Sequence, residues 1–190
     1  MAFFFFIKKK NGKLRPVQDY RLINEWTIKN RYPLPLIPQL IDRISDAKLI
    51  TVVDIWWGYN TVQILEEDRH KAAFVTNKGL FEPTVMFFGL TNSPATFQTM
   101  MDMIFREQIA RRTLTVYMDD IAVHTRRNLG KTETQHLERH QGLVKEMLAI
   151  LCKNDLFLNI DKCQFEQTEV DYLGVRVGGQ QVQMEEAKVA

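Results

Sequence analysis

Three aspartates are the residues in this sequence best suited to act together chemically. Asp54 stands near the end of the apolar run Leu49–Ile55, and the pair Asp119-Asp120 separates two further short apolar runs. Carboxylates a few ångströms apart repel one another, so a cluster of them needs shared protons or a bound cation. Oxygen ligands without cysteine or histidine favour Mg²⁺ or Mn²⁺.

The chemistry that such a cluster supports is phosphoryl transfer. Two divalent cations about 3.5–4 Å apart can hold the attacking and leaving oxygens of an in-line displacement. Each part of the cluster also has an ordinary explanation. Asp119-Asp120 could be the polar tip of a hairpin, and Asp54 could be a strand-end or turn residue. Convergence of the two parts beside a basic hairpin favours a metal site.

The elements that must position these aspartates follow from the apolar pattern. Phe3–Ile7 and Leu14–Asp19 predict an early hairpin, and from Leu49 the order is strand, helix, two strands, helix, strand. That is the split β-α-β order of a ferredoxin-like α+β domain. Its third strand lies antiparallel beside its first, so Asp54 is expected beside Asp119 and Asp120. The later predicted elements are a helix from Ser93 to about Ala110, a helix over Glu133–Lys153 and a strand over Val170–Val177.

Two histidines on the second predicted helix raise the alternative of a zinc site. His136 and His140 are four residues apart, but the metalloprotease motif needs glutamate directly after the first histidine. Leu137 stands there. We therefore predict that the histidines lie on an exposed helix face.

The positive charge is concentrated near the start of the chain. Lys8–Arg31 holds eight basic residues against Asp19 and Glu25, a net charge of +6, which leaves −4 on the rest of a chain whose total is +2. A basic segment of this kind suits a polyanion such as nucleic acid or nucleotide phosphates. A solubilising face explains the charge equally well.

Composition indicates an intracellular protein without a membrane segment. No apolar run approaches the roughly 20 residues needed to span a bilayer. Ala2–Ile7 is too short for a signal peptide, and Lys8–Lys10 follows it where a signal peptide carries charge before its apolar stretch. Cys152 and Cys163 are expected to be reduced thiols.

The tetrapeptide Tyr117-Met118-Asp119-Asp120 resembles the strand-turn-strand signature of reverse transcriptases. The similarity extends over nearly the whole chain and is to gypsy-type LTR retrotransposons. The matching segments are Lys8–Pro16, Asp19–Arg21 and Ile28–Pro35 in the fingers, Phe88–Gln98 in the palm and Tyr172–Gly174 near the end.

The resemblance implies an RNA-directed DNA polymerase that adds deoxynucleotides to a primer 3′-OH during retrotransposon replication. It implies two Mg²⁺ ions, with Mn²⁺ as a substitute, an RNA or DNA template with its primer, and deoxynucleoside triphosphates. An inactive or domesticated copy that only binds nucleic acid is the alternative. An RNA-binding module with the same topology is a third interpretation, but such modules carry aromatics on the sheet rather than converging carboxylates.

The resemblance also implies roles for residues at the matching positions. Asp54, Asp119 and Asp120 correspond to the catalytic, metal-binding carboxylates. The residues expected at the nucleotide are Lys9, Arg15, Tyr59, Phe88 and Gly89, and the Tyr59 ring would exclude a ribose 2′-OH. The residues expected at template or primer are Arg21, Leu173 and Gly174. Lys162 is a candidate proton donor to the pyrophosphate leaving group. Trp56-Trp57 departs from the family pattern, and these rings could crowd the pocket or pack beneath it.

The expected organisation is a polymerase palm with part of a fingers subdomain. Residues 1–47 would be partial fingers with the basic hairpin. Residues 48–177 would be the palm, within which 72–91 could return to the fingers, and 178–190 would begin a thumb or connection. The RNase H and integrase domains of a parent polyprotein are expected outside this chain.

Overall fold

The computed structural model describes residues 2–8, 12, 14–127, 130–179 and 181–184. The helices are α1 (Arg21–Trp26), α2 (Ile37–Ser45), α3 (Ser93–Ile104), α4 (Arg106–Ala110) and α5 (Glu133–Lys153). The strands are β1 (Ala2–Lys8), β2 (Leu14–Gln18), β3 (Ala47–Asp54), β4 (Phe74–Thr76), β5 (Gly79–Phe81), β6 (Leu114–Tyr117), β7 (Asp120–Arg126), β8 (Gln164–Gln167), β9 (Glu169–Tyr172), β10 (Val175–Gly178) and β11 (Gln181–Met184). Short 3₁₀ helices cover Gly58–Thr61, Glu66–Ala72 and Ile160–Lys162. No helix in the described ranges has the length and apolar character needed to cross a membrane.

The chain divides into two compact units. The first comprises Met1–Tyr32 and Trp57–Phe97, and the second comprises Pro33–Trp56 and Gln98–Ala190. These bounds differ from the predicted subdomain boundaries at 47 and 177. The names fingers, palm and thumb stay predictions for these residues.

The first unit is built on a four-stranded sheet in the order β2-β1-β4-β5. The predicted hairpin is present: β1 and β2 pair antiparallel, with Lys8 opposite Leu14 at the end of the register. Aromatic side chains favour the pleated strand, which fits the phenylalanine-rich β1. A small core of Ala2, Tyr20 and Ala72 supports the sheet, and the Tyr20 hydroxyl donates to the Ala72 carbonyl at 3.1 Å.

The second unit contains the sheet that carries the predicted site. Its order is β6-β7-β3-β8, and every neighbouring pair is antiparallel. β3 lies inside the sheet and ends in an almost fully buried run, Ile50–Asp54, as expected for a strand covered on both faces. This is the strand order of a split β-α-β domain. The predicted ferredoxin-like topology is therefore confirmed.

Two predicted elements of the second unit are wrong in detail. The fourth strand of the sheet is β8, which pairs with β3. The predicted strand 170–177 instead forms the hairpin β9–β10, with Leu173-Gly174 at its turn. Leu173 and Gly174 have φ angles of 50° and 82°, and left-handed residues cannot continue an extended strand. The helix predicted from Ser93 to Ala110 is two helices, because Phe105 has a non-helical backbone with φ −104° and ψ 16°.

The helix α5 has the predicted bounds, but its histidines are not exposed. His140 is 0% exposed and His136 is 3% exposed. The two ring nitrogens of His140 lie 2.8 Å from the Thr51 hydroxyl and 3.0 Å from the Thr125 hydroxyl. The Thr125 hydroxyl is also 3.3 Å from Nε2 of His136. A neutral imidazole has one donor and one acceptor nitrogen, so two hydroxyls satisfy it. The prediction of an exposed face was wrong because these histidines belong to a buried network between α5 and strands β3 and β7.

Candidate active site

Antiparallel pairing of β3 and β7 brings the predicted aspartates to one end of the sheet. Asp54, the last residue of β3, stands directly opposite Asp120, the first residue of β7. Asp119 belongs to the two-residue turn Met118-Asp119, and its carbonyl accepts the N–H of Ile55 at 2.9 Å. Directly opposed residues have Cβ atoms about 4.5–5.5 Å apart and share a face of the sheet. The side chains of Asp54 and Asp120 are therefore close neighbours.

Gln98 fixes the turn that carries Asp119. Its side-chain oxygen accepts the N–H of Met118 at 2.7 Å, and its side-chain nitrogen donates to Asp102 at 2.9 Å and to the Val116 carbonyl at 3.4 Å. Met118 has φ 54°, which is uncommon for a residue other than glycine. The fully buried Gln98 thus holds a turn in a sparsely populated conformation. Sequence reasoning missed this role, because its only signal was membership of the matching segment Phe88–Gln98.

The three carboxylates share one electrostatic environment. The pKa of Asp120 is raised to about 6, first by burial and then by the negative charges of Asp119 and Asp54. Burial disfavours the charged carboxylate, and nearby like charges disfavour it further. The negative charge at this end of the sheet is therefore only partly balanced by nearby positive charge.

Lys162 brings a positive charge to this end of the sheet. Its Nζ donates to Oδ2 of Asp54 at 2.7 Å, and this hydrogen bond raises the pKa of the lysine. The main chain holds the lysine's segment in place, because the N–H of Asn159 donates to the Asp54 carbonyl at 2.9 Å. The side chain of Lys162 is still 61% exposed.

The donor set fits a hard divalent cation. Across the residues that the structure describes, no group of three or more carboxylate, histidine or cysteine side chains is gathered closely enough to hold a metal ion. One carboxylate oxygen of Asp54 instead accepts a hydrogen bond from the Lys162 ammonium. The three aspartates nevertheless offer only oxygen donors, and a cation would offset the negative charges that, after burial, raise the pKa of Asp120.

An aromatic cluster in the first unit collects three of the residues predicted to bind nucleotide. The Tyr59 ring centroid lies 5.1 Å from that of Phe88 and 5.6 Å from that of Phe97. The Arg15 guanidinium lies 5.0 Å from the Phe88 ring centroid, within the range of a cation–π contact. Gly58 permits this packing, because a Cβ at that position would lie 2.8 Å from the Phe97 ring.

The other residues predicted at the nucleotide have different surroundings. Gly89 has φ 101°, and its carbonyl accepts the side-chain N–H of Asn24 at 2.7 Å. Lys9 lies outside the described residues. Trp56 and Trp57 are 58% and 56% exposed, so neither ring is a core residue.

The residues predicted at template and primer are at least partly accessible. Arg21 donates to both carboxylate oxygens of Asp19, at 2.8 Å and 2.6 Å, and these contacts lower the pKa of Asp19 to about 2. Its guanidinium fork is thus already engaged by a carboxylate. Leu173 and Gly174 form the turn of the β9–β10 hairpin, and Leu173 packs against the core of the second unit.

Solved structures share this fold. A foamy viral protease-reverse transcriptase in complex with double-stranded DNA matches with a TM-score of 0.85 and 20% identity, over 98% of this chain and 31% of that one. Another, in complex with an RNA/DNA hybrid, matches with a TM-score of 0.83 and 19% identity, over 98% of this chain and 24% of that one. The predicted α+β class is therefore confirmed, and it is the fold of reverse transcriptase polymerase domains.

The sequence comparisons identify the family. The family described as reverse transcriptase (RNA-dependent DNA polymerase) matches residues 7–177. The chain therefore belongs to the reverse transcriptase family, a family of nucleotidyltransferases.

Among its relatives are retrotransposon polyproteins of Schizosaccharomyces pombe (strain 972 / ATCC 24843). The chain is 36% identical to the Transposon Tf2-3 polyprotein over 173 residues and 35% identical to the Tf2-7 polyprotein over 172 residues. Each match covers 90% of this chain, and the chain spans about 12% of the length of these relatives. The predicted resemblance to retrotransposon reverse transcriptases is confirmed.

Proposed function

We propose that this chain is the catalytic part of an RNA-directed DNA polymerase, which adds deoxynucleotides to a primer 3′-OH during retrotransposon replication. The observation that carries the proposal is the register of β3 and β7. It sets Asp54 opposite Asp120, with Asp119 in the adjoining turn. Membership of the reverse transcriptase family supports the same activity.

The carboxylates of Asp54, Asp119 and Asp120 would hold two divalent cations, Mg²⁺ or Mn²⁺, which when bound would supply charge neutralisation at the reacting phosphate and activation of the 3′-OH. Lys162 adds a positive charge beside Asp54. The hydrogen bond to Asp54 keeps its ammonium protonated. It is therefore a candidate proton donor to the pyrophosphate leaving group.

The residues proposed to bind the incoming nucleotide are Lys9, Arg15, Tyr59, Phe88 and Gly89. A guanidinium binds phosphate through a fork of N–H groups, so Arg15 is assigned to the triphosphate. The half-buried Tyr59 ring packs against two other rings. This packing holds the ring in place, so that it would exclude a ribose 2′-OH by steric contact.

Replacing Tyr59 with alanine tests the sugar assignment. The ratio of kcat/KM for ribonucleotides to that for deoxynucleotides should rise by about 10- to 100-fold. A matched change at the exposed ring of Trp26 serves as the control. An unchanged ratio in an active Tyr59→Ala variant would return Tyr59 to a packing role.

The proposed partners are a primed RNA or DNA template and deoxynucleoside triphosphates. The similar foamy viral structures contain double-stranded DNA and an RNA/DNA hybrid, which supports a nucleic-acid duplex as the partner. Arg21, Leu173 and Gly174 are proposed contacts to template or primer. An intracellular location fits relatives that are retrotransposon polyproteins.

Primer extension on an RNA template, with Mg²⁺ and with EDTA, tests the proposed activity. We expect stepwise addition of deoxynucleotides that stops when the metal is chelated. Binding of the primer-template without extension would contradict the polymerase assignment. It would support the alternative of an inactive copy that only binds nucleic acid.

A further inference from the structure

The far end of β7 carries a cluster of arginines that the proposed polymerase function does not use. These side chains line a cavity of about 280 Å³ in the second unit. They come from α2, from the end of α4, from the end of β7 and from α5. The ionisable lining is Arg43, Arg111, Arg112, Arg126, Arg139 and His124.

Most of this positive charge lacks a local counter-charge. Arg111 pairs with Glu146, and Arg126 lies 3.7 Å from a carboxylate oxygen of Asp46. The side chains of Arg43, Arg112 and Arg139 form no ion pair or hydrogen bond with the residues that the structure describes. Guanidinium groups stay charged at any physiological pH. Three like charges around one cavity therefore favour a bound anion.

A buried histidine gives a second, independent indication of a ligand. His124 lines the same cavity and is 4% exposed. Its Nε2 has no hydrogen-bond partner among the described residues. A buried polar atom without a hydrogen-bond partner destabilises the folded state. Burial, and then the charges of Arg126 and Arg43, lowers the pKa of His124 to about 4, so an anion would both pair with the ring and offset these cations.

The backbone at Arg112 is consistent with a role for its side chain. The N–H of Arg112 donates to the Ile109 carbonyl at 3.0 Å, and the N–H of Thr113 donates to the Gln108 carbonyl at 3.2 Å. These are the two bonds of a Schellman motif, whose left-handed position usually holds glycine. Arg112 occupies that position with φ 54°. The fold thus keeps an arginine at the cavity despite a backbone preference for glycine.

The cavity is separate from the candidate active site. Asp120 and Arg126 are the two ends of β7, which places them about 20 Å apart along an extended strand. A ligand in the arginine cavity would not be at the aspartates.

We propose that the arginine cavity is a binding site for a multiply charged phosphoryl anion, either a run of backbone phosphates in a nucleic-acid strand or a free polyphosphate. The guanidinium fork matches the geometry of phosphoryl oxygens. Several uncompensated arginines suit a ligand with several negative charges better than a single carboxylate. The volume far exceeds the roughly 10–15 Å³ that a cavity needs to hold one water molecule, so phosphoryl groups fit. This proposal does not rest on the polymerase function.

The test is an NMR titration of the full chain that follows the ring resonances of its four histidines. One arm uses inorganic tripolyphosphate, and the other uses a single-stranded oligothymidine. Either ligand should shift the His124 resonances and raise the pKa of His124. Saturation by the oligonucleotide alone identifies backbone phosphates as the source, and saturation by tripolyphosphate alone identifies a free polyphosphate.

Arg112→Gly is the informative variant, because glycine suits the left-handed backbone and should not unfold the chain. It should weaken binding by about tenfold or more, as expected for the loss of a hydrogen bond to a charged group. Arg127→Gln removes the same charge just outside the cavity and should change the affinity far less. No shift at His124 with either ligand, or equal affinity of Arg112→Gly and Arg127→Gln, would overturn the proposal.

Discussion

Strand β7 carries charges of opposite sign at its two ends. Asp120 begins the strand beside Asp119 and opposite Asp54, and the ammonium of Lys162 donates a hydrogen bond to Asp54. Arg126 ends the strand at a cavity lined by four further arginines. At the first end the charges of Asp119 and Asp54 help to raise the pKa of Asp120, and at the other end five arginines line one cavity. We propose that each end binds a ligand of the opposite charge.

The middle of β7 explains how both clusters persist. Ile121, Ala122 and Val123 are almost fully buried, and the next two residues, His124 and Thr125, are buried as well. Close packing and the buried threonine-histidine network leave the strand no room to shift. A rigid strand interior can therefore keep groups of like charge near one another at each end of the strand.

The largest effect is expected from Asp119→Asn at the acidic end. Loss of one ligand charge removes several kcal/mol of transition-state stabilisation, so the rate of primer extension should fall by at least about 10²-fold. The melting temperature should stay the same or rise, because one of three repelling charges is gone. Steady-state extension and thermal unfolding check the two parts. Asp171→Asn, on the exposed face of β9, is the matched control. A folded Asp119→Asn variant that extends primers at the normal rate would refute the role of the trio.

A substitution in the buried network that packs against the middle of β7 should lower the stability of the fold. His140→Leu removes the ring that hydrogen-bonds both the Thr51 and the Thr125 hydroxyl, and the loss of these buried bonds should lower the free energy of unfolding by about 1–3 kcal/mol. Urea denaturation measures this change. The same substitution at the exposed His70 should alter stability by less than about 0.5 kcal/mol. Equal effects at the two histidines would show that the network contributes nothing.

The buried histidines His124 and His140 should make the free energy of unfolding depend on pH. The pKa values of His124 and His140 are about 4 in the folded chain, below the roughly 6.5 of an unfolded chain. Between these values the unfolded chain binds more protons, so stability falls as the pH falls through this window. From about pH 7 to pH 5.5, His140→Leu should lose about 1 kcal/mol less than the wild type. Parallel pH profiles for the two proteins would contradict this explanation.

The smallest effect is expected at the arginine end. Arg112→Gly should raise the free energy of unfolding by about 0.5–1 kcal/mol, because glycine adopts the left-handed conformation without strain. Arg111→Gly, one residue earlier and in the helical conformation, should lower stability by at least a similar amount, because glycine disfavours that conformation and the ion pair with Glu146 is lost. Urea denaturation of both variants checks the opposite signs. A loss of stability in Arg112→Gly would mean that the arginine side chain stabilises the fold itself.

The two ends of β7 also differ in how far the sequence alone predicts them. The acidic end was predictable, because a split β-α-β order forces the end of its first strand beside the start of its third, and Asp54 and Asp119-Asp120 stand at those positions. The arginine end was not predictable. Its residues come from elements far apart in sequence, and no local spacing links Arg43 to Arg112 or Arg139.

Smaller errors have local causes. His136 and His140 lie at helical spacing with Val144 and Leu151 on α5, and this spacing indicated a buried face. The polarity of histidine led to the prediction of an exposed face instead. Gly174 signalled a turn within the predicted strand Val170–Val177. The role of Gln98 depends on a contact with Met118 that no sequence pattern encodes.

The central claim is that Asp54, Asp119 and Asp120 together bind divalent cations. Electron paramagnetic resonance of free Mn²⁺, titrated into the chain with primer-template present, tests this claim without requiring turnover. The wild type should remove about two Mn²⁺ ions from solution per chain, and Asp119→Asn should remove fewer, whereas Asp171→Asn should match the wild type. Equal Mn²⁺ binding by wild type and Asp119→Asn would contradict the account.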